Sequence, residues 1–195
     1  MKRILMATVA AVLFFMLAQQ EKAQAQRKPG PQIDLFKTVK PGQWIQVDGV
    51  LQRNMSVRAS EVKVLTGDLQ NDDWELLGVV RRLNNKRKEF YIMNIRVRTS
   101  KETEFEHWDD EKADLFKDFS NLKNGMLVEV EGTFLKDGTF LALEVQNETG
   151  NPKRDLDEVS VTGKVQKINP SRKTVTVMGT VFEIRKQTDI KSAIK

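Results

Sequence analysis

The strongest constraint on what this chain can fold into is a recurrence inside it. Phe36–Val62 aligns without gaps on Phe119–Val145, each residue meeting its counterpart 83 positions further on. In that register Gly42 meets Gly125, Val47 meets Val130, Gly49 meets Gly132, and Ala59-x-Glu61-Val62 meets Ala142-x-Glu144-Val145. A second pair of segments stands 85 positions apart. Gly78 meets Gly163, Val80 meets Val165, Asn84 meets Asn169, Arg87-Lys88 meets Arg172-Lys173, Met93 meets Met178 and Thr103 meets Thr188. Self-similarity of this kind marks a supersecondary unit used more than once. The copies are not in simple tandem, because the two kinds of segment alternate along the chain. The middle pair makes one complete unit, 75–146, and the outer pieces, 36–65 and 157–190, hold the same parts in reversed order. Either the outer pieces close on each other as a permuted second unit, or they pack as truncated copies on the first. Closure is the expectation, since each half alone would leave an open sheet edge.

The repeated segments have the pattern of strands. Trp44-Ile45-Gln46-Val47-Asp48 and Leu127-Val128-Glu129-Val130-Glu131 alternate apolar and polar residues, as a sheet with one buried face requires. Thr174-Val175-Thr176-Val177 does the same with β-branched residues. Asp137-Gly138 is a hairpin turn signal, and Asn169-Pro170-Ser171 is a second turn. Gly49, Gly78, Gly132 and Gly163 fall inside strands, where glycine permits the bend or bulge of a small closed barrel. Residues 109–119 break the pattern. Leu115, Phe116 and Phe119 have helical spacing behind an acidic first turn, which predicts one short helix. Three strands, a helix and two strands is the order of the five-stranded OB barrel. The expected fold is therefore mostly β, with two small OB-like barrels, the second built from the outer halves in permuted order.

The first 25 residues have a separate purpose. Lys2 and Arg3 precede an apolar run from Ile4 to Ala18, and Ala23-Gln24-Ala25 is a small-x-small cleavage site. This predicts a secretory signal peptide cut near Ala25, a flexible leader over 26–35, and a periplasmic or secreted location. The run is short of the roughly 20 apolar residues a spanning helix needs, so an integral membrane protein is not expected. With the signal go three of the 32 basic and one of the 27 acidic residues, leaving a mildly basic remainder. The chain has no cysteine, which removes disulfides, thiol catalysis and thiolate metal sites together.

Leu122–Phe134 followed by Asp137–Val145 resembles the bacterial family called domain of unknown function 5666, and Val161–Ile168 with Val175–Val177 looks like the opening of the same unit. The resemblance implies an exported OB-like barrel, often repeated, and brings no catalytic residues or cofactor.

Candidate chemistry is sparse. His107, the one histidine, lies in Glu104-Phe105-Glu106-His107-Trp108-Asp109, so Glu106, His107 and Asp109 are the residues from which a hard-metal site would be drawn. The competing reading is a polar loop whose acids cap the following helix. Arg81-Arg82-Leu83-Asn84-Asn85-Lys86-Arg87-Lys88 is the densest basic stretch, with Arg96 and Arg98 on one face of the next strand. An OB barrel binds ligands on its second and third strands and the adjoining loops, so Arg81, Arg82, Arg87, Lys88, Arg96 and Arg98 are the candidate contacts for an anionic partner. Phe90 or Tyr91 would supply a stacking surface. The competing reading is a solvated turn with a polar outer face. The expected function is a non-catalytic binding or scaffold protein of the envelope, its partner a protein, an acidic glycan or a lipid head group. Export argues against nucleic acid. The alternative is a metal-assisted envelope hydrolase using the carboxylates around His107.

Overall fold

The computed structural model describes residues 34–194 apart from 55, 68 and 70–72. The signal peptide, its cleavage site and the leader up to residue 33 lie outside the described residues. The described chain is mostly β: twelve strands form one hydrogen-bonded sheet. A short helix α1 (Leu35–Thr38) comes first. Leu35, placed by sequence at the end of the leader, is buried. Strands β1 (Trp44–Leu51) and β2 (Val57–Leu65) follow, then β3 (Trp74–Asn84), β4 (Glu89–Ile92), β5 (Ile95–Arg98) and β6 (Glu104–His107). Next are β7 (Leu127–Phe134), β8 (Phe140–Asn147), β9 (Glu158–Asn169), β10 (Thr174–Val177), β11 (Thr180–Glu183) and β12 (Asp189–Ile194).

The pairings run in two closed circuits. One goes β3–β4–β5–β8–β7 and back to β3, through antiparallel ladders and one short parallel contact, Val97 beside Phe140. The other goes β9–β10–β11–β2–β1 and back to β9, with Phe182 beside Val57 as its parallel contact. Residues 44–50 thus pair with 158–164 across more than a hundred positions. Closing a strand circuit pairs backbone groups that an open edge would leave exposed. Two further strands add outside the circuits, β6 parallel to β8 and β12 parallel to β2. The circuits meet where Glu75, Leu76 and Leu77 pair with Thr162, Val161 and Ser160. Trp44, Trp74, Phe134 and Phe140 form a chain of ring contacts beside this junction, at centroid distances of 4.9, 5.4 and 5.1 Å.

The local details recur in the registers read from the sequence. Lys88 and Lys173 have φ of 54° and 53°, and Met93 and Met178 have 51° and 50°. Thr103 Oγ1 accepts from the Ser100 N–H and donates to the Ala142 carbonyl, both at 2.8 Å. Thr188 Oγ1 does the same with Arg185 and Ala59, both at 2.9 Å. The ladders shift register at Asp48/Gly49 and at Glu131/Gly132. A Cβ at Gly49 would stand 2.5 Å from the Arg58 carbonyl oxygen, and one at Gly132 would run into that of Leu141. These two glycines let the backbones touch at the bulges.

The short helical segment expected over 109–119 is present, as 3-10 rather than α-helix and in two pieces, Asp110–Leu115 and Phe119–Asn121. Asp109 and Asp118 cap them, each accepting a backbone N–H two residues on, from Glu111 and Ser120. These caps close tight local turns instead of starting a longer helix. Phe116 and Phe119 still enter the core, but Leu115 is 68% exposed.

Candidate functional site

Of the basic residues picked from the sequence, Arg81 and Arg82 lie on β3, Arg96 and Arg98 on β5, and Arg87 and Lys88 in the turn between β3 and β4. Along β4 and β5 the side chains alternate, so Phe90, Ile92 and Val97 are buried while Tyr91, Arg96 and Arg98 face outward. The stacking surface is therefore Tyr91 and not Phe90, which is fully buried. Tyr91 lies opposite Arg81 on one side and opposite Arg96 on the other. The Arg82 guanidinium sits 3.9 Å from the Tyr91 ring centroid, a close cation–π stack. Arg82 reaches this position from a left-handed backbone, φ 51°, where the ladder shifts register.

The six candidates divide into two groups. Arg98 gives Nε and Nη2 to Glu89 Oε1 at 2.9 and 2.7 Å, and Glu89 is almost buried, so that guanidinium neutralises a carboxylate of the same hairpin. Arg96 bonds to Asp137 at 3.2 Å and to the Thr139 hydroxyl, both in the β7–β8 hairpin. The Lys88 ammonium lies 5.0 Å from the Phe119 ring centroid. Arg81, Arg82 and Arg87 are exposed and, with Lys86, make no ion pair among the described residues. The free positive charge is therefore concentrated on Arg81, Arg82, Lys86 and Arg87, with Tyr91 as the flat surface beside it.

The residues around His107 do not converge. His107 Nδ1 accepts the Asp109 N–H at 3.0 Å, while the Asp109 carboxylate caps the first 3-10 turn and pairs with Lys112 at 2.8 Å. That ammonium and the cap hold the Asp109 carboxyl below its ordinary range. Glu106 is exposed on β6, opposite Gln146. Among the described residues no three acidic or histidine side chains are grouped to hold a metal ion.

Sequence reasoning missed an acidic row on the outer face of β3, β7, β8 and β6. Glu75 lies opposite Glu131, Glu131 opposite Glu144, and Glu144 opposite Glu104. Like charges directly across a ladder repel. Burial, with Glu129 and Glu131 as neighbours, pushes the Glu75 carboxyl up to about 7. Burial and four neighbouring glutamates push Glu144 up as well. Arg154 offsets part of this, bonding Glu129 at 2.6 Å and Glu158 at 3.0 Å. No single segment carries the row; only the register of four strands assembles it.

A mostly-β chain with a cationic, tyrosine-bearing outer face on one strand circuit is the class of protein that fold and surface define. Residues 78–146, which span most of that circuit, match the family model described as Domain of unknown function (DUF5666). No curated protein and no solved structure matches the chain.

Proposed function

We propose that this is an exported, non-catalytic binding or scaffold protein of the bacterial envelope that recognises an anionic partner through OB-like modules. The observation that carries the reading is the Arg81–Arg82–Tyr91 face, where guanidinium groups without an ion-pair partner among the described residues flank a half-buried, outward-facing ring. Its position fits the module. In the circuit of β3, β4, β5, β8 and β7 the strands neighbour one another in the order first, second, third, fifth, fourth, with the 3-10 turns between third and fourth. An OB fold is a five-stranded barrel that binds on its second and third strands, here β4 and β5. The outer circuit has the same order with its parts permuted, which supports reading it as a second module. The apolar run and small-x-small site at the N-terminus support export. The hydrolase reading draws less support, because His107 Nδ1 and the Asp109 carboxylate are engaged within the local turn and no three ligands are grouped there among the described residues.

The test is binding of the purified chain to a sulfated polysaccharide and to anionic lipid vesicles between about 0.1 M and about 1 M NaCl, where the screening length falls from about 10 Å to about 3 Å. Binding is expected to weaken steeply with salt and about tenfold in Arg81→Ala/Arg82→Ala, each guanidinium being worth several tenths of a kcal/mol or more at a surface. Affinity that survives both changes would overturn the assignment of this face. Turnover of an envelope substrate that is lost in Asp109→Ala would instead support the hydrolase.

A further inference from the structure

A cleft beside the same strand circuit shares only Lys88 with the six candidate basic residues. It has a volume of about 620 Å³ and opens between the β4 hairpin, the β5–β6 loop and the second 3-10 turn. That volume is within the range of small-molecule sites, about 300–1,000 Å³. Three separate loops each bring an ammonium to its wall: Lys88, Lys101 and Lys117. Its apolar lining comes from the half-buried Phe105, with the buried Phe119 at its floor beneath Lys88.

The charge of the cleft is available to a ligand. Asp118, the one carboxylate on the wall, is committed to the Ser120 hydroxyl and to the Ser120 N–H at 2.6 Å as the cap of its turn, which, with the nearby Lys88 charge, holds it below the ordinary range. Lys101 pairs with Glu102 at 3.4 Å and Lys117 with Asp114 at 2.5 Å. All four of these side chains are more than half exposed, and such surface pairs are worth little, so a ligand anion can replace the carboxylates at small cost. Lys88 has no carboxylate partner and lies over the Phe119 ring.

We infer that this cleft binds an acidic sugar residue, one of whose ring faces packs on the half-buried Phe105 while its carboxylate or sulfate meets Lys88, Lys101 and Lys117. An aromatic lining without charge would suit a neutral sugar, and lysines without rings would suit a bare anion. The combination favours a ligand that is both ring-shaped and anionic. The inference rests on the proposed function, in that it names a chemical class for the anionic partner, but apart from Lys88 it uses residues outside the six candidates, Lys101, Lys117 and Phe105.

The experiment is calorimetric titration of the purified chain with a uronate-containing disaccharide, its neutral counterpart and inorganic sulfate. Lys101→Gln/Lys117→Gln is the test variant, and Arg81→Ala/Arg82→Ala is the comparison. Both lysines are exposed, so an unchanged melting temperature is the control for folding. The expected result is saturable binding of the acidic disaccharide, at least tenfold weaker with the neutral sugar and in the lysine variant, and unchanged in the arginine variant. Equal binding of the neutral sugar, binding of sulfate as tight as the disaccharide, or indifference to the lysine variant would each overturn the inference. If the disaccharide does not bind while a long polyanion still binds through Arg81 and Arg82, the cleft assignment fails and the proposed function stands. Loss of disaccharide binding in the arginine variant alone would move the site to the arginine face.

Discussion

Glu75 is the residue whose chemistry most depends on its neighbours. Its carboxyl is half-buried beside Glu129 and Glu131, with Arg154 the opposing charge, and its folded value of about 7 lies above the unfolded value of 4.5. An acid raised on folding prefers to stay protonated in the folded state, so the unfolded chain releases its proton first as pH rises. Stability is therefore full below pH 4.5, falls between 4.5 and about 7, and levels off above. The loss is on the order of 3 kcal/mol. Glu75→Gln is expected to flatten that decline, which urea melts from pH 4 to pH 8 would show; an unchanged slope would place the proton elsewhere. Thr103 makes a different prediction. Its hydroxyl is buried between the Ser100 N–H and the Ala142 carbonyl. Thr103→Val leaves both without that partner and is expected to cost about 1–3 kcal/mol, with Thr188→Val costing a similar amount in the other circuit. A cost below a few tenths in either would show that water replaces the hydroxyl there.

At the scale of elements, the bulged strands and the added strand β12 carry the most informative tests. Gly132→Ala forces a Cβ onto the Leu141 carbonyl, which is backbone and cannot swing aside. The substitution is expected to cost several kcal/mol, as other overpacked core positions do, about 1–3 or more. Gly138→Ala meets no atoms but strains a left-handed turn at φ 78°, so its cost should be near 1 kcal/mol. Denaturant midpoints of the two variants separate close approach from backbone conformation. Stopping the chain after Thr188 removes β12 and with it Ile190, which packs against the core. Burial of one such side chain contributes about 1.5–3 kcal/mol, and the truncated chain should melt correspondingly lower.

For the whole molecule, the buried residues of both strand circuits form one contiguous cluster, and β3 pairs β9 between them. Heat or denaturant is therefore expected to unfold residues 34–194 in one transition, and two separable transitions by calorimetry would contradict that coupling. Deleting 157–195 takes away β9 to β12 and leaves β1 and β2 with open edges and with Ile45, Val47 and Val62 uncovered. Such edges recruit other chains. The deletion is expected to yield aggregates by size-exclusion chromatography, while point changes at Arg81 or Arg82 leave the elution unchanged.

What the sequence determined by itself was periodic and local. Alternation placed the strands, Asp137-Gly138 placed a hairpin, and the 83- and 85-residue registers matched residues that the structure gives the same turns, bulges and threonine bonds. These follow from short-range sterics and from burial of one face, which a repeated pattern reports directly. The basic hairpin was legible for the same reason, since Arg81, Arg82, Lys86, Arg87 and Lys88 are neighbours in the chain. Tertiary structure decided what depends on partners far apart in sequence. It spent Arg98 on Glu89 and Arg96 on Asp137, turned Phe90 inward and Tyr91 outward, and tightened 110–121 into two 3-10 turns. It also lined up Glu75, Glu131, Glu144 and Glu104, and brought Lys88, Lys101 and Lys117 around one cleft. Charge pairing and burial are set by which strands and loops meet, and a one-residue change of register would reassign every one of them.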